Sequence, residues 1–206
     1  MNQSLVYYGD LSAVGGDAAL SAMGIVLKVN QIIISICVGI GIGSQPILGF
    51  NRGANQMERV KKTYLTAVTI ATSISTLGWL VSLLFPKYIL AIFGTADANF
   101  TQFGIRCMRT FLGGVFCAGF QIVTTSYFQA TGQPLKATIL SSLRQLVLLI
   151  PLILLLPLSF GLDGILYAGP IAEICAGIIV FIFIAYEMKK VTADLKSVDL
   201  KAAEHN

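Results

Sequence analysis

Charge is what this chain has least of. Only 12% of its 206 residues are Asp, Glu, Lys or Arg, about half of the roughly 25% that a soluble domain carries on its surface. Histidine is nearly absent too: His205 stands alone in a polar tail, which leaves no triad and no histidine-built metal centre. The four cysteines, Cys37, Cys107, Cys117 and Cys175, are scattered singly through apolar segments. They show no ligand or disulfide spacing and read as small core residues, so no metal and no cofactor are expected. No segment combines paired carboxylates or a nucleophile with a base, which argues against an enzyme. A cleavable signal peptide is not expected either, because Met1 opens on Asn2, Gln3 and Ser4 and the first long apolar run begins near Leu20.

What fills the chain instead is hydrocarbon. Hydrophobic residues make up 55% and the mean hydropathy is +0.79, which places the protein in a lipid bilayer. The expected fold is all-α, a polytopic membrane helix bundle. A polar segment at 1–19 is read as a partial helix and an external loop. Spans follow near 20–43, 63–85, 100–130, 137–158 and 164–186, with a polar tail at 191–206. The 24 residues of the first span rise about 36 Å, enough to cross a hydrocarbon core of about 30 Å. Pro46, Gly49 and Gly53 predict a loop over 45–62, and Pro86 opens another over 86–99. Pro151 is expected to kink the fourth span.

The net charge of +4 and pI near 8.9 raise nucleic acid as a partner, but the basic residues fall in short loops. Arg52, Arg59, Lys61, Lys62, Lys136, Lys189, Lys190, Lys196 and Lys201 lie on one side of the predicted spans, and Lys87 lies on the other. The positive-inside rule then puts the C-terminus in the cytoplasm. No nucleic-acid partner is expected.

Five charges sit inside spans: Lys28, Arg106, Arg109, Arg144 and Glu173. Each costs about 2.5 to 3.5 kcal/mol at a helix centre. Arg106 and Arg144, near the starts of their spans, are expected to snorkel toward headgroups. Lys28, Arg109 and Glu173 each lie roughly nine residues, about 13 Å, from the outer ends of theirs. Equal depth predicts that Glu173 meets Lys28 or Arg109, either to neutralise the bundle or to form a substrate or proton site. Gln31 shares the Lys28 stripe, and Gln121 and Phe128 share another with Gly113, Cys117 and Thr124. Thr66, Thr69, Ser73 and Thr76 on the second span read as a packing face. Gly39, Gly41 and Gly43 follow no strand, so close helix packing explains them better than nucleotide binding.

The run GSQPILGFNRGANQMERVKKT at 43–63 resembles the loop after the eighth helix of multidrug and toxic compound extrusion (MATE) transporters, in the branch of MepA-type bacterial exporters. GFQIVTTSYFQATGQP at 119–134 is similar to the tenth helix and its turn. SLRQLVLLIPLILLLP at 142–157 and FGLDGILYAGPIAE at 160–173 are similar to helices eleven and twelve. The resemblance implies a second lobe of a two-lobed exporter in the bacterial inner membrane. Such an exporter would move cationic amphipathic molecules by antiport against H+ or Na+. It also implies that Lys28, Gln31, Arg109, Gln121 and Glu173 face an interlobe cavity, with Phe120, Tyr127 and Phe128 supplying aromatic wall. The family's sodium-type branch has a carboxylate where this chain has Ala118, which argues against a sodium site of that kind. The alternative is a truncated or split membrane module, acting structurally with a separate first lobe or with itself and not transporting alone.

Overall fold

A computed structural model describes Tyr7 and residues 15–94 and 98–204, with side chains for Tyr7, 15–94 and 100–193. The segment expected as a partial helix at 1–19 lies mostly outside these residues, as do Asp97 and His205. Among the described residues every regular element is helical: α1 (Gly16–Gly53), α2 (Met57–Leu84), α3 (Pro86–Ile92), α4 (Ala98–Phe111), α5 (Ala118–Ala130), α6 (Pro134–Ser142), α7 (Ile150–Phe160) and α8 (Leu162–Glu204). A 3₁₀ stretch, Leu112–Cys117, joins α4 to α5, and a π-helical stretch, Leu143–Leu149, joins α6 to α7. Five continuous helical rods are therefore long and apolar enough to cross a membrane, at Gly16–Gly53, Met57–Leu84, Phe100–Ala130, Pro134–Phe160 and Leu162–Ala193.

The connections are tighter than residue preferences predict. Instead of a loop over 45–62, α1 runs through Pro46 to Gly53 and α2 starts at Met57. Glycine and proline are tolerated inside membrane helices because the freed backbone groups find partners locally. The turn itself is made by Asn55 at φ 58°, a left-handed conformation that asparagine tolerates, with the Gln56 amide donating to the Asn51 carbonyl at 2.8 Å. The segment after α2 is also partly helical, because Pro86 stands in the first turn of α3, where its missing N–H leaves nothing unpaired. Residues 191–204 of the expected tail continue α8.

The Phe100–Ala130 rod is the centre of the bundle. Of its most apolar stretch 61% is buried, against 6% for Pro134–Phe160, which lies at the periphery. Lipid tails are as apolar as leucine, so contact between such rods depends on close packing. A Cβ on Gly119 would collide with the Ala71 carbonyl, and one on Gly41 would lie 2.6 Å from Ser126 Oγ. The packing face of α2 is Tyr64, Ala67, Ala71 and Ser75, all buried, while Thr66, Thr69 and Ser73 are exposed. Thr69 accordingly donates to its own helix at the Leu65 carbonyl and does not form the packing surface expected of it.

Buried apolar residues divide into two clusters along the bundle. One gathers Met23, Ile33, Leu112, Val115 and Leu166, and the other gathers Cys37, Tyr64, Val123, Phe128 and Val180. On α8, Glu173 falls between Leu166 and Val180; on the central rod, Gln121 falls between Val115 and Val123. A polar site thus occupies the gap between two cores.

Candidate membrane-embedded ion-pair site

Two local distortions build this site. The 3₁₀ stretch contains Gly113 and Gly114, and a Cβ on Gly114 would lie 2.7 Å from Glu173 Cβ and 3.0 Å from Pro170 Cα. Only glycine lets α8 approach here. The carbonyl of Phe116 accepts from Ser75 Oγ at 3.0 Å, so a backbone group in the tightened stretch has a side-chain partner. On the facing rod, Pro151 would push its ring against the Val147 carbonyl in regular α geometry. The wider π turn Leu143–Leu149 comes immediately before it, with Arg144 at its head. Such wide turns concentrate at functional sites.

The Glu173 carboxylate is held on both oxygens. Arg144 donates through one terminal guanidinium nitrogen to Oε1 at 2.8 Å. Gln121 donates through Nε2 to Oε2 at 3.1 Å and to the Glu173 carbonyl at 3.0 Å. Gln121 is 4% exposed, so its amide has little water to turn to. The pair lines a cavity of about 580 Å3 that Asn30, Gln31, Phe111 and Gln145 also border. Arg144 and Gln121 border a second cavity of about 280 Å3, with Gln45, Gln129 and Ser141. There Gln45 donates to Gln129 Oε1 at 3.0 Å. Arg144 therefore stands on the walls of both cavities, and Asn30 Oδ1 is buried with no hydrogen-bond partner among the described residues. Among the same residues no group of three or more His, Cys, Asp or Glu comes together to hold a metal.

The residues singled out by sequence separate accordingly. Glu173, Gln121 and Gln31 meet at or beside the large cavity, where Gln31 also donates to Ser35 Oγ at 3.3 Å. Lys28 and Arg109 do not join Glu173. Lys28 is exposed on α1, and Arg109 is exposed and donates to the Leu83 carbonyl at 3.3 Å. Equal depth in the membrane specifies height but not the direction a side chain takes around its helix. The partner is Arg144, which was expected to snorkel. The rod begins at Pro134, ten residues earlier, so Arg144 lies well inside it and meets α8 at Glu173. Arg106 pairs with Asp163 at 2.6 Å.

The aromatic residues also divide. Tyr127 and Phe128 are 1% and 0% exposed and belong to the core; Tyr127 packs on Tyr64 with ring centroids 5.0 Å apart. Neither borders these two cavities. Phe120 is half-buried against Phe181, with centroids 6.3 Å apart. Ala118 is buried and offers nothing to a cation.

Sequence reading missed Asn30 and Glu187. Glu187 lies one residue past the predicted fifth span and before the tail predicted at 191–206. It is 5% exposed, accepting from Gln133 Nε2 at 2.6 Å and from Lys136 Nζ at 2.9 Å. The one available signal was a carboxylate just before Lys189 and Lys190, at helical spacing from the apolar stripe of Val180 and Ile184.

Known proteins share this fold. A family model described as MatE matches residues 6–155. The multidrug export protein MepA of Staphylococcus haemolyticus (strain JCSC1435) is 27% identical over 184 residues, covering 88% of this chain and 40% of its own length. A solved structure of the MATE multidrug transporter DinF-BH is 34% identical, with a TM-score of 0.78 over 92% of this chain and 41% of that one. An outward-facing MATE family transporter of the MOP superfamily has the same fold, with a TM-score of 0.79 at 20% identity, over 93% of this chain and 43% of that one. The chain thus spans about 40% of the length of the curated relative it matches. With the family model covering most of its length and five helices built to cross a membrane, the chain belongs to the MATE family of multidrug transporters.

Proposed function

We propose that this chain forms the C-terminal lobe of an ion-coupled multidrug antiporter of the bacterial cell membrane, with its C-terminus in the cytoplasm. The observation that carries the reading is a carboxylate, Glu173, held by Arg144 and Gln121 on the wall of a cavity of about 580 Å3 between two apolar cores. A pair of this kind is a two-state element. With Glu173 ionised, Arg144 is neutralised and the cavity wall is pinned to α8. Protonation of Glu173 removes the attraction, while the guanidinium remains charged at any accessible pH. Arg144 must then find other acceptors, and Asn30 and Gln145, whose side chains carry amide groups, border the same cavity. A proton suits this role better than Na+, because a bare cation would have to displace a guanidinium already 2.8 Å from the carboxylate. Cationic amphipathic substrates fit the same electrostatics, since a proton on Glu173 and an organic cation beside it exclude each other.

Lys28, Gln31 and Ser35 form an exposed polar stripe on α1. Such a stripe is costly against lipid, which supports its being covered by a further lobe. That lobe would be a further part of a longer polypeptide, a separate six-helix polypeptide or a second copy of the chain, and alternating access needs two bundles around one site. The same stripe favours the second reading, a membrane module that does not transport alone.

The test is accumulation of a fluorescent cationic dye in exporter-deficient cells that express this chain with and without a complementary six-helix lobe. Reduced accumulation that disappears when the proton gradient is dissipated is expected whenever both lobes are present. Normal accumulation in both arms, with insertion of both polypeptides confirmed, would overturn the transport reading and leave the structural module.

A further inference from the structure

The second carboxylate on α8 belongs to a different kind of site. Around Glu187 lies a cavity of about 300 Å3 bordered by Arg52 from the end of α1, Thr131 and Gln133 from the turn after α5, Lys136 from α6 and Lys190 from α8. Three cations thus converge on one carboxylate. Glu187 engages Lys136 directly and anchors Gln133 beside it, so its charge is already answered. Arg52 and Lys190 have no carboxylate partner among the described residues; the one side-chain contact Arg52 makes there is to the Met57 sulfur, a weak acceptor. The cavity carries a surplus of two positive charges, and its donors are pre-positioned by a buried acid.

Its depth decides what can occupy it. Glu187 lies 12 residues beyond residue 175, the middle of the apolar part of α8, which is about 18 Å along the axis. The hydrocarbon half-thickness is about 15 Å, so the cavity opens at the level of the headgroups. Within one turn of its lining residues, Phe50, Leu135 and Tyr186 are 76%, 77% and 73% exposed. Positive charge inside and bare apolar surface outside match the two halves of an anionic phospholipid: a phosphate for Arg52, Lys136 and Lys190, and acyl chains for the surrounding surface. A free phosphate ion would use the first half only.

We propose that this pocket binds the phosphate of an anionic phospholipid headgroup, which ties the end of α1 and the start of α6 to α8 at the basic face of the bundle. Arg52 and Lys190 supply the free charge, and Glu187 positions Lys136.

Native mass spectrometry of the full chain in mixed micelles tests this, by counting retained phosphatidylglycerol against phosphatidylcholine. Wild type should retain phosphatidylglycerol preferentially. Arg52→Gln with Lys190→Gln should weaken it roughly 25-fold, two surface cations each contributing about a factor of five. The pair Arg59→Gln with Lys62→Gln, exposed and equal in charge, should leave retention unchanged. Equal losses in the two pairs would reduce the effect to general surface charge and overturn the site. So would full displacement of the lipid by millimolar inorganic phosphate, which would assign the pocket to a soluble anion. Should the double variant fold poorly, Lys190→Gln alone, at an exposed position with no carboxylate partner among the described residues, must still show a loss of about fivefold.

Discussion

Two glutamates on one helix make the same kind of contact and teach opposite lessons. Glu173 and Glu187 are 14 residues apart on α8, just under four turns, so they project from the same face. Each takes one cation from the Pro134–Phe160 rod and one glutamine amide, Arg144 with Gln121 in the first case and Lys136 with Gln133 in the second. Glu187 has the more buried side chain, 6% exposed against 20% for Glu173, so the contrast lies in what each partner can do when released. Lys136 is 38% exposed at the end of the bundle and also lies over the Phe128 ring, 5.5 Å from its centroid. If its acid is neutralised it can reach water along its own stem. Arg144 is less exposed, midway between the two cores, and cannot be deprotonated. Neutralising Glu173 therefore forces a rearrangement, whereas neutralising Glu187 only loosens an anchor. The first pair is suited to switching and the second to holding.

The strongest way to break this distinction is Glu173→Gln. With the complete transporter assembled, dye export should fall by about tenfold or more, as expected when a coupling energy of a few kcal/mol is removed. Export by Glu187→Gln should stay close to wild type once corrected for protein amount. Equal losses would erase the difference between the two acids. Next in size is Arg144→Gln, which leaves an unpaired carboxylate in the membrane interior. It should destabilise the folded chain by about 3 kcal/mol in a denaturation assay in detergent. Adding Glu173→Gln should restore much of this, and additive losses in that double-mutant cycle would show that the two side chains do not interact.

Smaller effects sharpen the second half of the comparison. Glu187→Gln should lower stability by about 1 to 2 kcal/mol, because Lys136 is left near water and not stranded; a larger loss would mean that this pair is as obligatory as the first. Gln121→Leu removes the amide that positions Glu173 and should cost about 1 kcal/mol. Its effect should vanish in a Glu173→Leu background if that contact is its main role.

The helices were legible because their cause is local. Long runs without charge, such as 63–85, read as spans since only a helix satisfies its own backbone in lipid. Turn chemistry was less legible: Pro46 and Gly53 suggested a break that the structure places at Asn55, because lipid-embedded helices absorb residues that end helices in water. At the candidate site, Glu173 and Gln121 could be picked out from their apolar surroundings. Their partner could not, because Lys28, Arg109 and Arg144 all lie within reach by depth and differ only in direction. Phe128 shares a helical stripe with Gln121, yet about two turns further along that stripe faces the second core, which Tyr127 also joins.

Sequence alone determined that the chain lives in a membrane, which segments cross it, which end is basic, and that a carboxylate lies where charge is expensive. Those properties follow from composition and from the rise of about 1.5 Å per helical residue, both of which are set residue by residue. Tertiary structure decided which charges meet. That choice depends on the rotation of each rod about its axis, set here by the Gly114 contact with α8, the 3₁₀ stretch and the π turn before Pro151. Contacts between distant rods fix such rotations, and no local stretch of sequence carries them.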